Sequence, residues 1–292
     1  MRHPILLSFG EVLWDLFPEG PRFGGAPANF ACHAAVLGGN VTMLSAVGRD
    51  SRGGRALDIL RSFGIDTTLI QQTEQGPTGE VRVTLNADGC PSFVIEDPAA
   101  WDFIDWPDAV AGRLNQINAV YFGTLAQRHE KSRTTLQHLL AAARSREIHR
   151  VLDVNLRLPF YDESLIKQSV AECSVLKLSD EELPDVARAC SIPHAENPLQ
   201  ALRALREQNQ LALVAMTRGA NGAVLVSESE TVEHPGIATE VIDTVGAGDA
   251  FAAALVIGLI RGVPLERIID IACKTAAEVC AQAGAVPDLG AN

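Results

Sequence analysis

The chain has 292 residues, 47% of them hydrophobic, and a formal net charge of −12. That length and apolar fraction suit one α/β domain with a large core, and the acidic balance argues against nucleic acid or an anionic membrane as the main partner, since both need a basic surface. Six cysteines without a CxxC pair, several within apolar helical stretches, read as reduced buried thiols rather than a disulfide frame.

The first β-rich run is 5–9, entered with no long apolar core and cleavage site of the secretory kind, so a cytoplasmic location is expected. A strand over 11–17 follows, and then Gly24-Gly25-Ala26-Pro27-Ala28-Asn29 leads into a helix predicted over 27–37, with Pro in its first turn and Gly38-Gly39 as its stop. A strand at 41–47 precedes a helix over 51–62 that Asp50 starts and Gly64 ends. Runs at 79–85 and 92–96, joined through Asn86-Ala87-Asp88-Gly89, read as a hairpin inserted between βα units. It is a candidate lid, the alternative being an edge hairpin that extends the main sheet.

Further β-rich runs at 119–122, 151–154, 175–178 and 211–216 are separated by segments of helix-compatible length, of which 130–146 is well signalled. The spacing closes on a helical pair, 246–260 and 265–281, around Gly262 and Pro264. Such alternation favours a mostly parallel sheet covered by helices. The longest apolar run, near 250–260, is interrupted by Gly258 and is too short to span a bilayer.

Five segments carry candidate chemistry. The most informative is Asp243-Thr244-Val245-Gly246-Ala247-Gly248-Asp249, which opens directly onto an apolar helix. The first N–H groups of a helix have no intrahelical partner and lie at its positive end, so glycines that admit an anion make such a turn an anion site. A carboxylate there would repel bound phosphate unless Asp249 has another task, and accepting a proton from a hydroxyl that attacks a phosphoryl group is one. In the Gly24–Asn29 segment, Asn29 both donates and accepts, as a sugar hydroxyl requires, although the glycines also suit a plain strand-to-helix turn.

Asp153-Val154-Asn155-Leu156-Arg157 lies at the carboxyl end of a predicted strand, where ligands of open α/β sheets bind; Arg157 offers a fork of donors to phosphate, and Asn155 reaches a hydroxyl or phosphate oxygen. The plainer reading is a turn with a surface Arg. In Lys177-Leu178-Ser179-Asp180-Glu181-Glu182, at the end of an apolar strand, Ser179 and Glu182 fit a capping box, and a carboxylate there also suits the organisation of hydrated Mg²⁺. Thr217-Arg218-Gly219-Ala220-Asn221-Gly222 reads either as a phosphate-binding turn or as a hairpin turn. No Walker loop, third dinucleotide glycine, HExxH, metal-spaced Cys/His cluster or GxSxG elbow occurs.

Taken together, these segments resemble the ribokinase family of sugar kinases, also called the phosphofructokinase-B family. Gly24–Asn29 with Gly38 and Gly48 looks like its N-terminal signature, Asp243–Asp249 like its C-terminal one, and the three other segments fall between them in the family's order. The resemblance covers nearly the whole chain and implies a single domain over 1–292. Its fold would be an α/β three-layer sandwich with a central mostly parallel sheet flanked by helices, and a small β lid built from strands inserted at about 11–17 and 79–97.

What the resemblance implies for the site is specific. Asp249 would be the catalytic base, with the amides of Gly246, Ala247, Gly248 and Asp249 as an anion hole. Asp15, Gly25 and Asn29 would hold sugar hydroxyls. Asn155, Arg157, Ser179, Thr217, Gly219 and Gly222 would face ATP, with Arg157 and Asn155 also within the substrate's reach, and Glu182 would act on Mg²⁺ through water. Carbonyls of the Asp243–Val245 segment and of the Gly284-Ala285 turn form a candidate K⁺ site. Ser179 stands where many members have Asn, and Cys273 lies in a helix segment that often supplies a polar residue near the adenine, which leaves nucleotide preference open.

Gly10-Glu11-Val12-Leu13-Trp14-Asp15-Leu16-Phe17-Pro18 followed by the glycine turn looks most like bacterial fructokinases. The expected reaction is therefore ATP-dependent phosphorylation of D-fructose to fructose 6-phosphate. Ribose, 2-keto-3-deoxygluconate and another ketose or a nucleoside are the alternative substrates of the same chemistry; a sugar-binding sensor without catalysis and a nucleotide-dependent dehydrogenase are readings from other classes. Phe93 and Trp101 are expected to pack under the lid, and exposed lid strands suggest a homodimer.

Overall fold

A computed structural model describes residues 3–85, 91–193 and 196–286, the side chains of 83–85 and 91–93 excepted. Strands β1 (Ile5–Phe9), β2 (Leu13–Phe17) and β3 (Gly20–Gly24) precede helix α1 (Ala26–Val36), and β4 (Asn40–Gly48) precedes α2 (Ser51–Ser62). Next come β5 (Ile70–Thr73), β6 (Gly79–Leu85), β7 (Pro91–Ile95), α3 (Asp108–Arg113), β8 (Ala119–Phe122), α4 (Glu130–Arg144), β9 (His149–Asp153), α5 (Glu163–Glu172) and β10 (Val175–Ser179). The described chain closes with α6 (Leu183–Ala189), α7 (Pro198–Gln208), β11 (Leu213–Thr217), β12 (Ala223–Ser227), β13 (Thr231–His234), α8 (Ala247–Arg261) and α9 (Leu265–Cys280).

Nine strands form one sheet in the order β13-β12-β11-β10-β9-β8-β1-β4-β5. It is parallel from β11 to β5, and β12 alone is reversed, so that its pairings with β11 and β13 are antiparallel. Successive strand residues serve opposite faces, as the two-residue strand period requires. Leu7, Val120 and Leu152 join one core with Leu136 of α4, Val170 of α5 and Leu202 of α7; Leu6, Tyr121 and Val151 join the other with Ala31 of α1, Leu255 of α8 and Ile268 of α9. These are the three layers that the resemblance implies.

Asp50 starts a helix as expected, and Asp162, not singled out in the sequence, does the same. Asp50 accepts the Gly53 N–H at 2.8 Å at the head of α2, and Asp162 accepts the Leu165 N–H at 2.7 Å at the head of α5. Four described cysteines are buried and all five described are free, as the reduced-thiol reading expects; Cys90 and the turn 86–90 lie outside the described residues.

The inserted strands do not extend the main sheet. They form a separate four-stranded sheet in the order β3-β2-β6-β7, with β2 parallel to β6 and the other pairs antiparallel. Sequence reading places only β2, β6 and β7 there. The fourth strand, Gly20-Pro21-Arg22-Phe23-Gly24, carries too much Gly and Pro to read as one, and pairing with β2 supplies what its own propensity lacks.

Candidate active site

Two helix N-termini, the small sheet and the carboxyl end of β9 and β10 enclose a cavity of about 530 Å³. Leu13, Asp15 and Phe17 of β2 line it together, three residues on one face of one strand, with Val81 of β6 and Ile95 of β7 beside them. Gly25, Ala26 and Asn29 line it from the start of α1, Gly246, Gly248 and Asp249 from the start of α8, Asn155 and Arg157 from the loop after β9, and Lys177 from within β10. Ligands of open α/β sheets are expected at that carboxyl edge.

Glycine geometry sets both helix starts. Gly246 has φ +84°, and a Cβ there would lie 2.2 Å from the Ala285 carbonyl oxygen. Gly25 has φ +109°, and its Cβ would lie 2.5 Å from the Glu11 carbonyl oxygen. No L side chain fits either place without moving backbone. Neither helix start has a side-chain cap; at the head of α8 the Ala247 N–H donates to the Thr244 carbonyl at 3.3 Å, and the Gly248 and Asp249 amides have no partner among the described residues and remain available to a ligand.

Asp249 is buried at the head of α8, and its Oδ2 accepts the Asn29 Nδ2 at 2.9 Å. Burial above all, and then the Asp153 carboxylate, push the Asp249 carboxyl up to about 7; the Asn29 bond, Lys177 and Arg157 act in the opposite direction. The Asn29 Oδ1 is buried with no partner among the described residues, an acceptor left open beside the same carboxylate. Asp15 is pushed up to about 6, chiefly by burial. Gly24 makes room for it, since a Cβ there would lie 2.5 Å from the Asp15 Oδ2.

The cavity also contains groups to which sequence reading gave no role. Glu11 is 3% exposed, burial pushes its carboxyl up to about 7, and its Oε2 has no partner among the described residues. Lys177 donates to Asp153 Oδ1 at 2.9 Å and Oδ2 at 3.0 Å, while the Tyr121 hydroxyl donates to Asp153 Oδ2 at 3.1 Å. Burial works against the Lys177 charge, but the carboxylates of Asp153 and Glu182 outweigh it and its proton is held more firmly than usual. The available signal was a lysine in the middle of the apolar run Val175-Leu176-Lys177-Leu178, because a buried strand admits a charge only when something pairs it.

Of the remaining predicted residues Val245 also lines the cavity, whereas Ser179, Glu182, Thr217, Gly219, Gly222 and Asp243 are not among its lining residues. Ser179 and Thr217 end neighbouring strands in register, and Gly219 and Gly222 lie in the turn from β11 to β12. Gly222 has a packing reason of its own: its Cβ would lie 2.0 Å from the His234 carbonyl oxygen. The capping box is formed, with Ser179 N donating to Glu182 Oε2 at 2.8 Å and Glu182 N donating to Ser179 Oγ at 3.2 Å. Glu182 Oε1 also accepts the Leu156 N–H at 2.8 Å. Each carboxylate oxygen keeps a second lone pair for a metal-bound water, so the residue fits hydrated Mg²⁺ without giving up its structural bonds.

Asp243 clasps the two segments of the candidate K⁺ site. Its Oδ1 accepts the Val245 N–H at 3.0 Å and its Oδ2 accepts the Gly284 N–H at 3.0 Å. The Ala285 carbonyl accepts the His33 ring nitrogen at 2.9 Å when that nitrogen is protonated, so it is already engaged. Trp101 is fully buried under the Arg128 guanidinium, 3.9 Å from its ring centroid, as the packing role expects; the Phe93 side chain lies outside the described residues.

The family described as pfkB family carbohydrate kinase matches residues 20–291. The chain belongs to this family. It is 31% identical to a fructokinase from Escherichia coli over 96% of this chain and 94% of that one. It is also 28% identical to an ATP-dependent 6-phosphofructokinase from Thermoanaerobacterium thermosaccharolyticum, covering 97% of this chain and 90% of the relative. Among solved structures, a sugar kinase from Pyrococcus horikoshii in complex with ATP superposes with a TM-score of 0.79 at 27% identity, covering 96% and 94% of the two chains. The architecture of this carbohydrate kinase is thus ribokinase-like, and among its described residues no helix is long and apolar enough to cross a membrane.

Proposed function

We propose that this chain transfers the γ-phosphoryl group of ATP to a hydroxyl of D-fructose, giving fructose 6-phosphate, with Asp249 as general base and the amides of Gly246, Ala247, Gly248 and Asp249 as anion hole. The observation that carries this reading is the buried Asp249 carboxyl, poised at about 7 and facing the cavity from the head of a helix that starts on glycine. A base poised near the working pH is both available and able to take a proton.

In this reading Asn29 and Asp15 orient the sugar, and Gly25 lets it approach the backbone. Asp249 takes the hydroxyl proton as the oxygen attacks phosphorus, while Arg157 and the amides of α8 meet the charge on the transferred group. A helix end contributes about 0.3–2 kcal/mol, far less than the roughly 8 kcal/mol or more by which enzymes lower barriers. Positioning and water exclusion under the small sheet supply the rest. Asn155, Ser179, Thr217, Gly219 and Gly222 are assigned to the nucleotide. Glu182 would hold Mg²⁺ through water, and that ion, when bound, offsets phosphate charge. A K⁺ ion would draw on main-chain carbonyls of Asp243 and Val245.

The 6-phosphofructokinase relative suggests a sugar that already carries phosphate. The cavity disfavours it. Glu11, Asp15 and Asp249 line it, Lys177 is spent on Asp153, and Arg157 is the remaining cation among the lining residues. An added dianion would face three carboxyls with one counter-charge.

ADP release measured over fructose, fructose 6-phosphate, ribose, 2-keto-3-deoxygluconate and nucleosides, with and without K⁺, tests the proposal. Fructose is expected to lead. Turnover only with another sugar removes fructose, and background turnover with every sugar leaves a binding protein in place of the enzyme.

A further inference from the structure

The Tyr121–Asp153–Lys177 cluster lies beneath the head of α8 and no role in substrate binding uses it. All three side chains are buried, on three adjacent parallel strands, β8, β9 and β10. Asp153 accepts from both neighbours, and the ammonium cannot swing away without leaving a buried carboxylate that has lost this counter-charge. Lys177 has three donors and the two Asp153 contacts leave at least one N–H directed elsewhere. It reaches α8 itself: a Cβ placed on Gly248 would lie 3.0 Å from the Lys177 Nζ.

We infer that Tyr121 and Asp153 fix the Lys177 ammonium against the first turn of α8, and that Lys177 is thereby a positioning residue that keeps the Asp249 carboxylate ionised and ready to accept a proton. This rests on the reading of Asp249 as base. The groups acting on Asp249 come from several elements. Asn29 of α1 donates to it, and Tyr121 of β8 and Asp153 of β9 lie below it. Lys177 of β10 and Arg157 after β9 supply positive charge, and Glu11, after β1, lines the same cavity.

Of the two cations, Arg157 is on an exposed loop, where solvent and salt weaken its field. Lys177 is buried, immobile and in the lower dielectric, so its field on Asp249 is stronger and steadier. Asp153 acts in the opposite sense. Burial and Asp153 favour the protonated acid, Lys177 favours the anion, and the balance leaves Asp249 poised near neutrality.

The two partners should therefore shift Asp249 in opposite directions. The test is a carboxyl-carbon NMR titration of the sugar-free protein, carrying ¹³C-labelled aspartate, with the Asp249 signal assigned by its loss in Asp249→Asn. Lys177→Met is expected to raise the Asp249 midpoint by about one pH unit, and Asp153→Asn to lower it. The double variant Lys177→Met/Asp153→Asn, which leaves no unpaired buried charge, should return it towards wild type. The acid limb of kcat/KM should move in step while the KM for sugar stays nearly constant, a pattern that loss of packing alone would not produce.

An unchanged midpoint in Lys177→Met, or shifts of the same sign in both single variants, overturns the inference. Should Lys177→Met fail to fold, the Asp153→Asn midpoint decides, since a value at or above wild type contradicts the proposal. The titration needs no sugar, so a failed substrate panel would remove the fructose reading and leave this result standing on its own.

Discussion

Asp249 and Glu11 are both carboxyls raised to about 7 by burial, yet they make different predictions. If Asp249 is the base, kcat/KM should fall as the pH drops below about 7, because its proton-accepting form is lost. Asp249→Asn is expected to lower kcat by about 10²–10⁴-fold while isothermal titration still finds sugar bound; near-normal turnover would remove Asp249 from that role. For Glu11 the readout is stability. Its folded form retains a proton that the unfolded chain gives up near 4.5, so its contribution to stability is lost as pH rises from there to about 7. Glu11→Gln should remove that loss and, in urea unfolding, be more stable than wild type at pH 8 by on the order of 3 kcal/mol, with little difference at pH 4. The candidate base was legible because an acid beside a helix-terminal glycine turn is chemically odd. Glu11 was not, because an acid after Gly10 is ordinary until the fold removes its water.

The starts of α1 and α8 do most to shape the site. In both, a glycine at positive φ lets the chain turn into a helix directly at the cavity, and both were visible as two glycines close together before an apolar run. Gly246→Ala would drive a methyl group into the Ala285 backbone at a φ that L residues rarely adopt. We expect a loss of about 1–3 kcal/mol in stability and a larger proportional loss of kcat than of sugar affinity, since in the proposed reading the turn forms the anion hole. Unchanged thermal melting together with unchanged kcat would count against that geometry. Strand β3 and helices α5 to α7 were less legible individually. Their order follows from the alternation, but their limits depend on which residues face the sheet, and that is fixed by packing.

The whole molecule is two cores on either side of one sheet, with a second sheet rooted between them. Arg128 forms part of that root. Its guanidinium donates to Asp102 Oδ1 at 2.8 Å and Oδ2 at 2.6 Å and to the Glu96 carbonyl, just past β7, at 2.8 Å. It is held between Trp101 and Phe160, the latter in the loop that follows Arg157. Arg128→Met would leave the fully buried Asp102 without its counter-charge, at a cost of roughly 3–5 kcal/mol, and Arg128→Met/Asp102→Asn should recover part of it in thermal unfolding. Loss of the same size in the double variant would show that the stacked guanidinium itself, not charge pairing, is what matters there.

The sequence by itself determined the alternation of strands and helices, the two glycine turns and the order of the five polar segments, because each depends on local spacing and backbone freedom. Only the tertiary structure decided that the inserted strands form their own sheet, that Asp15, Asn29 and Asp249 share one cavity, and that Lys177 and Asp153 pair beneath it. Residues 29 and 249 are separated by most of the chain, and their hydrogen bond exists because α1 and α8 pack on the same face of the sheet. The altered proton affinities of Glu11, Asp15 and Asp249 depend on burial, which is a property of the folded whole.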